Sequence, residues 1–256
     1  MARRQFGKSS SNPFFGDKMY SENATNQPLD SSMITRSEAA PMTVQGAINK
    51  SFILGGLMMI TAFYSYFNPS TLFLWGGMLG GLGVILVMSW KQHLAPTLGP
   101  IYALLEGLFV GSISAIYASM MSGIIAQAVG LTMAVFFMML FIYKSGIVKV
   151  TSKLRTGVMM ATGAIMLMYV TVMIANFIFG ANWNFLHSAG PLSIGISLVI
   201  IGVASFNLLL DFDNFEKGEQ YRLPKYMEWF MATGLIVTLV WLYVEMLRLL
   251  AILNSD

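Results

Sequence analysis

The chain contains no cysteine. Disulfides, thiolate metal ligands and cysteine nucleophiles are therefore excluded. Charge is scarce too: Asp, Glu, Lys and Arg supply 11% of the 256 residues, against about 25% in a soluble domain. The two histidines, His93 and His187, fall in loops expected on opposite sides of a membrane, so they cannot share a metal. Neither HExxH nor GxSxG occurs, and no glycine-rich loop cradles a phosphate. What fills the chain is apolar: 56% is hydrophobic and mean hydropathy is +0.67. This excludes a disordered chain, a secreted disulfide scaffold and an ordinary soluble enzyme. The formal net charge of +3 is too small to point to nucleic acid.

The first 45 residues are polar, rich in Ser, Asn and Pro, and carry Arg3, Arg4, Lys8, Lys18 and Arg36. No apolar run closely follows Arg3 and Arg4, so they do not open a signal peptide. Residues 1–45 read as a flexible cytoplasmic arm, and 46–256 as an all-α transmembrane domain. Seven apolar stretches meet the length of about 20 residues that a spanning helix needs. They cover residues 51–67, 71–90, 97–119, 122–143, 156–180, 191–210 and 226–253, the first with a start that could lie nearer Thr43.

The basic residues orient the bundle. Fourteen of the 15 Lys and Arg fall before the first span or in alternate loops, on one side. Arg248 is the exception, inside the last span. Basic loops stay in the cytoplasm, so the N-terminus is placed there and the C-terminus outside, in a multi-pass inner-membrane protein. Small residues at four-residue spacing, Gly76 and Gly80, Gly77 and Gly81, Gly107 and Gly111, let helix backbones approach closely. Packing within one bundle is favoured over a dimer interface. The 21 Met residues are expected to fill gaps in it.

Ionisable groups inside spans mark function by default. Here they are Glu106, Asp211, Asp213, Glu228, Glu245 and Arg248. If the acids face the interior, carboxylates are spread over the whole bilayer depth, which suits a cation better than an anion. Asn207 and Asp211 share a face of span six. Glu245 shares a face of span seven with Gly234, Thr238 and Trp241. Blander readings stand beside these. Asp213, Glu216 and Glu219 read as loop acids in water. Glu228 could sit at headgroup level. Glu245 and Arg248, three residues apart, could form an ordinary ion pair. Burial disfavours a charged carboxylate, and two acids sharing a site hold one proton between them. Such a proton can latch two helices, and its loss leaves negative charge that attracts a cation. Ca²⁺ accepts carboxylate and carbonyl oxygens, so a calcium ion at Asp211 and Glu245 is the one cofactor-like ligand to consider.

Three passages resemble the Bax inhibitor family of membrane proteins, in its bacterial branch. They are residues 100–108 (PIYALLEGL), 206–213 (FNLLLDFD) and 242–250 (LYVEMLRLL), in that order and spacing. The resemblance covers about residues 46–256. No catalytic constellation appears, so no enzymatic activity is expected. The resemblance implies seven transmembrane helices with the last one central. It further implies a pH-sensitive calcium leak, controlled by a pair of acids on spans six and seven with a basic residue near the end of span two. Asp211 matches the span-six acid. Matching the Leu-Tyr-x-acid word places its partner at Glu245, whereas counting back from the Leu-Arg run places it near Thr238, which cannot titrate. Glu228 is the alternative near neighbour. The basic position falls at Lys91. The family likewise permits a non-transporting regulator that binds a membrane protease or stress-response partner. On that reading the arm, the small-residue faces and the loop carrying Lys144, Lys149, Lys153 and Arg155 would carry binding.

Overall fold

The computed structural model describes residues 41–180 and 190–254. The expectations for residues 1–40, for the loop 181–189 and for His187 lie outside them. Among the described residues seven helices are long and apolar enough to cross a membrane. They are α1 (Val44–Phe67), α2 (Thr71–Trp90), α3 (Ala95–Met120), α4 (Ile124–Ser145), α5 (Ser152–Phe179), α6 (Pro191–Gln220) and α7 (Met227–Leu253). A 3₁₀ turn, Gln92–Leu94, leads into α3.

Local chemistry sets the helix ends. The hydroxyls of Thr43, Ser70 and Thr151 accept backbone N–H bonds from Gly46, Phe73 and Leu154, satisfying orphan donors in the first turns of α1, α2 and α5. Pro191 opens α6, where its missing N–H costs nothing. Gly146 ends α4 at φ 70°, a left-handed conformation that a side chain would resist.

The helices outrun the hydrophobic stretches. Thr43 caps α1 well before residue 51. More consequentially, α6 continues ten residues beyond 210, to Gln220. Asp211 and Asp213 therefore lie on a helix, and Glu216 and Glu219, read from sequence as loop acids, lie on its last turns. Hydropathy reports where lipid ends, and a helix can continue into the polar zone. Asp213 supports the extension by pairing with Lys217 one turn on, at 2.6 Å.

α7 occupies the centre, packing on α1, α3, α4 and α6. In its most apolar stretch 61% of residues are buried, against 17% in α1, α2, α4 and α5. Around it, α1, α2 and α3 meet through glycines. A Cβ on Gly107 would fall 2.0 Å from Thr61 Oγ1, and one on Gly111 2.0 Å from the Ala62 carbonyl. A Cβ on Gly77 would fall 2.6 Å from the Leu105 carbonyl. These small residues are consumed inside the bundle. Gly80 packs on Leu105, and Gly76 meets only Leu72 of its own helix. The methionines divide: Met42, Met227 and Met246 fill the core, while others face outward. Met59, Met133, Met138, Met159, Met160, Met166 and Met173 are among those exposed on the outer surface, where in a membrane their flexible thioethers would meet acyl chains.

α5 packs on α6, with outward-facing apolar residues such as Leu167 and Ile178. It is held by polar contacts at seven-residue spacing along one face. Arg155 bonds Asp213 and Asn214 on α6. Thr162 Oγ1 accepts from Asn207 Nδ2 of α6 at 2.8 Å. Tyr169 donates to Glu245 Oε2 of α7 at 3.0 Å.

Candidate functional site

The centre of interest lies where α6 meets α7. Thr238 Oγ1 donates to Asp211 Oδ2 at 2.7 Å, with its own helix's Gly234 carbonyl 3.2 Å away as the competing acceptor. Asp211 is half-buried and faces a cavity of about 240 Å³ lined also by Asn214, Phe230, Met231 and Gly234. Gly234 leaves room for the carboxylate: a Cβ there would lie 4.0 Å from Asp211 Oδ1. Asp211 lies one residue past the apolar stretch that ends at 210, and nine residues, about 14 Å, before the end of α6. At the rim, Arg155 Nη1 donates to Asn214 Oδ1 at 2.8 Å and Nη2 to Asp213 Oδ2 at 2.5 Å. Arg155 is also the cation close enough to act on Asp211 electrostatically.

A second polar node sits about 10 Å further along α7, seven residues past Thr238. Arg248 Nη2 donates to Glu245 Oε1 at 2.5 Å and to Ser197 Oγ at 3.0 Å. Its guanidinium lies 5.7 Å from the Tyr169 ring centroid. Glu245 and Arg248 are 2% and 6% exposed. An ion pair this deep is tolerated because both ends are also hydrogen-bonded by Tyr169 and Ser197.

The remaining acids go elsewhere. Glu228 accepts from Thr43 N at 3.1 Å, placing a carboxylate at the positive end of the α1 dipole. Glu106 lies at the α2–α3 seam, bonded to Tyr102 one turn earlier and pressed against Gly81. Asp213 is held between Arg155 and Lys217. Lys91 is exposed at the C-terminus of α2. The structure thus brings Glu245 to Arg248, and Asp211 to Thr238. It does not bring Asp211 to Glu245 or Glu228, since each of those two acids is engaged by its own partners. Among the described residues no three His, Asp or Glu side chains converge as a metal cage.

Sequence reasoning passed over Arg155, Asn214, Ser197 and Tyr169. The sequence places Arg155 among the loop charges, whereas it lies in the first turn of α5. Its spacing from Thr162 and Tyr169 was the available signal for that face.

The arrangement defines a polytopic helical membrane protein whose central helix is pinned to α6 by two polar rungs. The chain belongs to the Bax inhibitor 1 like family, which it matches over residues 12–255. No curated protein matches it by sequence comparison.

Proposed function

We propose that the protein is a slow cation leak of the inner membrane, passing Ca²⁺ as cargo and gated by protonation of Asp211. It acts without catalysis and without a resident cofactor. The observation that carries this reading is the Asp211–Thr238 rung, a half-buried carboxylate that both faces a cavity and ties α6 to α7. As a neutral acid, Asp211 is satisfied by hydrogen bonds and the seam stays shut. As an anion it requires hydration or a counter-ion, which favours a parted, wetter seam and draws a cation toward it. Flux then rises with pH. Lys144, Lys149, Lys153, Arg222 and Lys225 cluster at the end where α1, α3, α5 and α7 begin. Their clustering supports a cytoplasmic location for the end nearer the Asp211 cavity.

Ca²⁺ flux in proteoliposomes across pH tests the reading. Asp211→Asn keeps a hydrogen-bonding group facing Thr238 and abolishes the pH dependence. A variant with unchanged flux and an unchanged pH profile refutes it.

One observation favours a regulator instead. Residues 41–44 are fastened to the α6–α7 turn: Pro41 bridges Pro224, and Met42 N donates to the Leu223 carbonyl at 2.8 Å. A partner that grips the preceding residues could pull on that turn. Deleting residues 1–40 separates the two readings, since a leak survives it and a regulator acting through the arm does not.

A further inference from the structure

We propose that the Glu245–Arg248 pair is the charge barrier of the α6–α7 pathway, setting the rate at which cations pass it. The proposal rests on the conduction reading above and adds a second station to it. Both polar rungs between α6 and α7 lie on one seam, Asp211–Thr238 at one and Ser197–Arg248 at the other. Thr238 and Glu245 are seven residues apart and share a face of α7. An ion that follows this seam beyond Asp211 meets Glu245 and Arg248 next. Between the rungs the seam is closed by Ala204, Leu208 and Leu242, each at 0% exposure.

The pair is not symmetrically compensated. Both Glu245 oxygens are used, one by Arg248 and one by Tyr169. Arg248 spends Nη2 on Glu245 and Ser197, and Nε on Ser197 at 3.3 Å. Nη1 is buried and, among the described residues, has no hydrogen-bond partner. The node therefore presents an uncovered positive edge inside an apolar surround, where a fixed charge acts over many ångströms. Such an edge repels a permeating cation, and Glu245 keeps that repulsion small enough for a slow leak. Rings of fixed charge set ion preference in pores by the same physics.

The test uses the full chain in vesicles of phosphatidylethanolamine and phosphatidylglycerol. It reads Ca²⁺ and K⁺ efflux, and the reversal potential in a KCl gradient. Three variants change the node's charge in known directions. Glu245→Gln leaves Arg248 unopposed. It lowers cation flux about tenfold, the change expected for one unit charge about 12 Å from the ion at an effective dielectric constant of about 20, and moves the reversal potential toward chloride. Arg248→Gln leaves Glu245 unopposed and raises cation flux by a similar factor. Ser197→Asp keeps both members of the pair and supplies a second carboxylate beside the guanidinium, so it also raises flux. It tests the sign independently should Arg248→Gln fail to insert. A pair that merely holds helices together would shift Glu245→Gln and Arg248→Gln in the same direction. That result, or fluxes that do not order with charge, overturns the barrier. If the wild type passes neither ion, and Asp211→Asn behaves identically, the conduction reading itself has failed.

Discussion

Thr238 and Asp211 form a rung with a hydroxyl at one end and a carboxylate at the other, 2.7 Å apart. Counting back from the Leu-Arg run, one of the two ways to match the family, leads one to expect acids at both positions, yet only one partner here can carry charge. A lone acid titrates in one step, whereas two sharing a site titrate in two coupled steps. Thr238→Asp therefore converts a single-step pH profile of Ca²⁺ flux into a steeper or two-step one. Thr238→Val keeps the shape and removes the donor. It destabilises the closed seam by about 1–3 kcal/mol, the cost of leaving a buried acceptor unpaired, and raises flux at a pH where the wild type is nearly closed. Flux measured across pH in both variants checks this, and a Thr238→Asp profile that overlays the wild type counts against a shared gate.

Much of the fold was legible in the sequence. Hydropathy located all seven spans because a spanning segment has little freedom of composition. The resemblance placed α7 at the centre. The site was less legible, for two physical reasons. Thr238 cannot titrate, so nothing in its chemistry marks it as the partner of an acid, although counting back from the Leu-Arg run reaches it. Contacts between helices depend on rotation about each axis, which sequence spacing fixes only within one helix. Tyr169 and Ser197 therefore could not be assigned to Glu245 and Arg248. The acids also spread over separate interfaces, Glu106 at α2–α3 and Glu228 at the start of α1. Any conducting seam is consequently narrower in membership than the ladder that spacing suggested.

The three contacts of α5 give a separable test of how that helix is held. In lipid, apolar surface gives little reason for one helix to seek another, so packing and polar contacts decide. Tyr169→Phe and Thr162→Val each remove one hydrogen bond and are expected to cost about 0.6 kcal/mol, up to about 1.7 kcal/mol. Arg155→Ala removes bonds to both Asp213 and Asn214, but leaves Asp213 paired with Lys217. Reversible unfolding in detergent should show the three losses adding within experimental spread, because the sites are about 10 Å apart along the helix. Strong coupling between them would mean that α5 docks as one unit.

The α1–α3 contact depends on the absence of two side chains. Gly111→Ala would set a methyl group 2.0 Å from the Ala62 carbonyl, which is backbone and cannot rotate away. Gly107→Ala meets the Met58 carbonyl at 2.3 Å. Each is expected to cost at least about 1–3 kcal/mol, as for overpacked cores, and to lower thermal stability in detergent. Gly56→Ala, where a Cβ meets nothing within 4 Å, is the matched control on α1. It should be neutral or slightly stabilising, since alanine favours helix over glycine.

The fastening of residues 41–44 predicts a sharp boundary for truncation. Met42 is 1% exposed and packs into the core beside Gly218, where a Cβ would lie 2.5 Å from its sulfur. Thr43 and Val44 give their backbone N–H groups to Glu228 and Glu219, so two carboxylates from the α6–α7 end neutralise the start of α1. Removing residues 1–40 leaves these contacts intact and should leave thermal stability unchanged. Removing residues 1–45 strips the Thr43 cap and the Met42 plug together, and leaves Glu228 buried at 3% exposure without its donors. Met42→Ala alone is expected to cost about 2–5 kcal/mol. Glu228→Gln retains an acceptor and costs less, because it loses mainly the charge–dipole contribution of about 0.3–1 kcal/mol. Melting curves of the two truncations and two substitutions order these contributions. Equal stability of the 1–40 and 1–45 deletions would show that the strap contributes nothing to holding α1 against the α6–α7 turn.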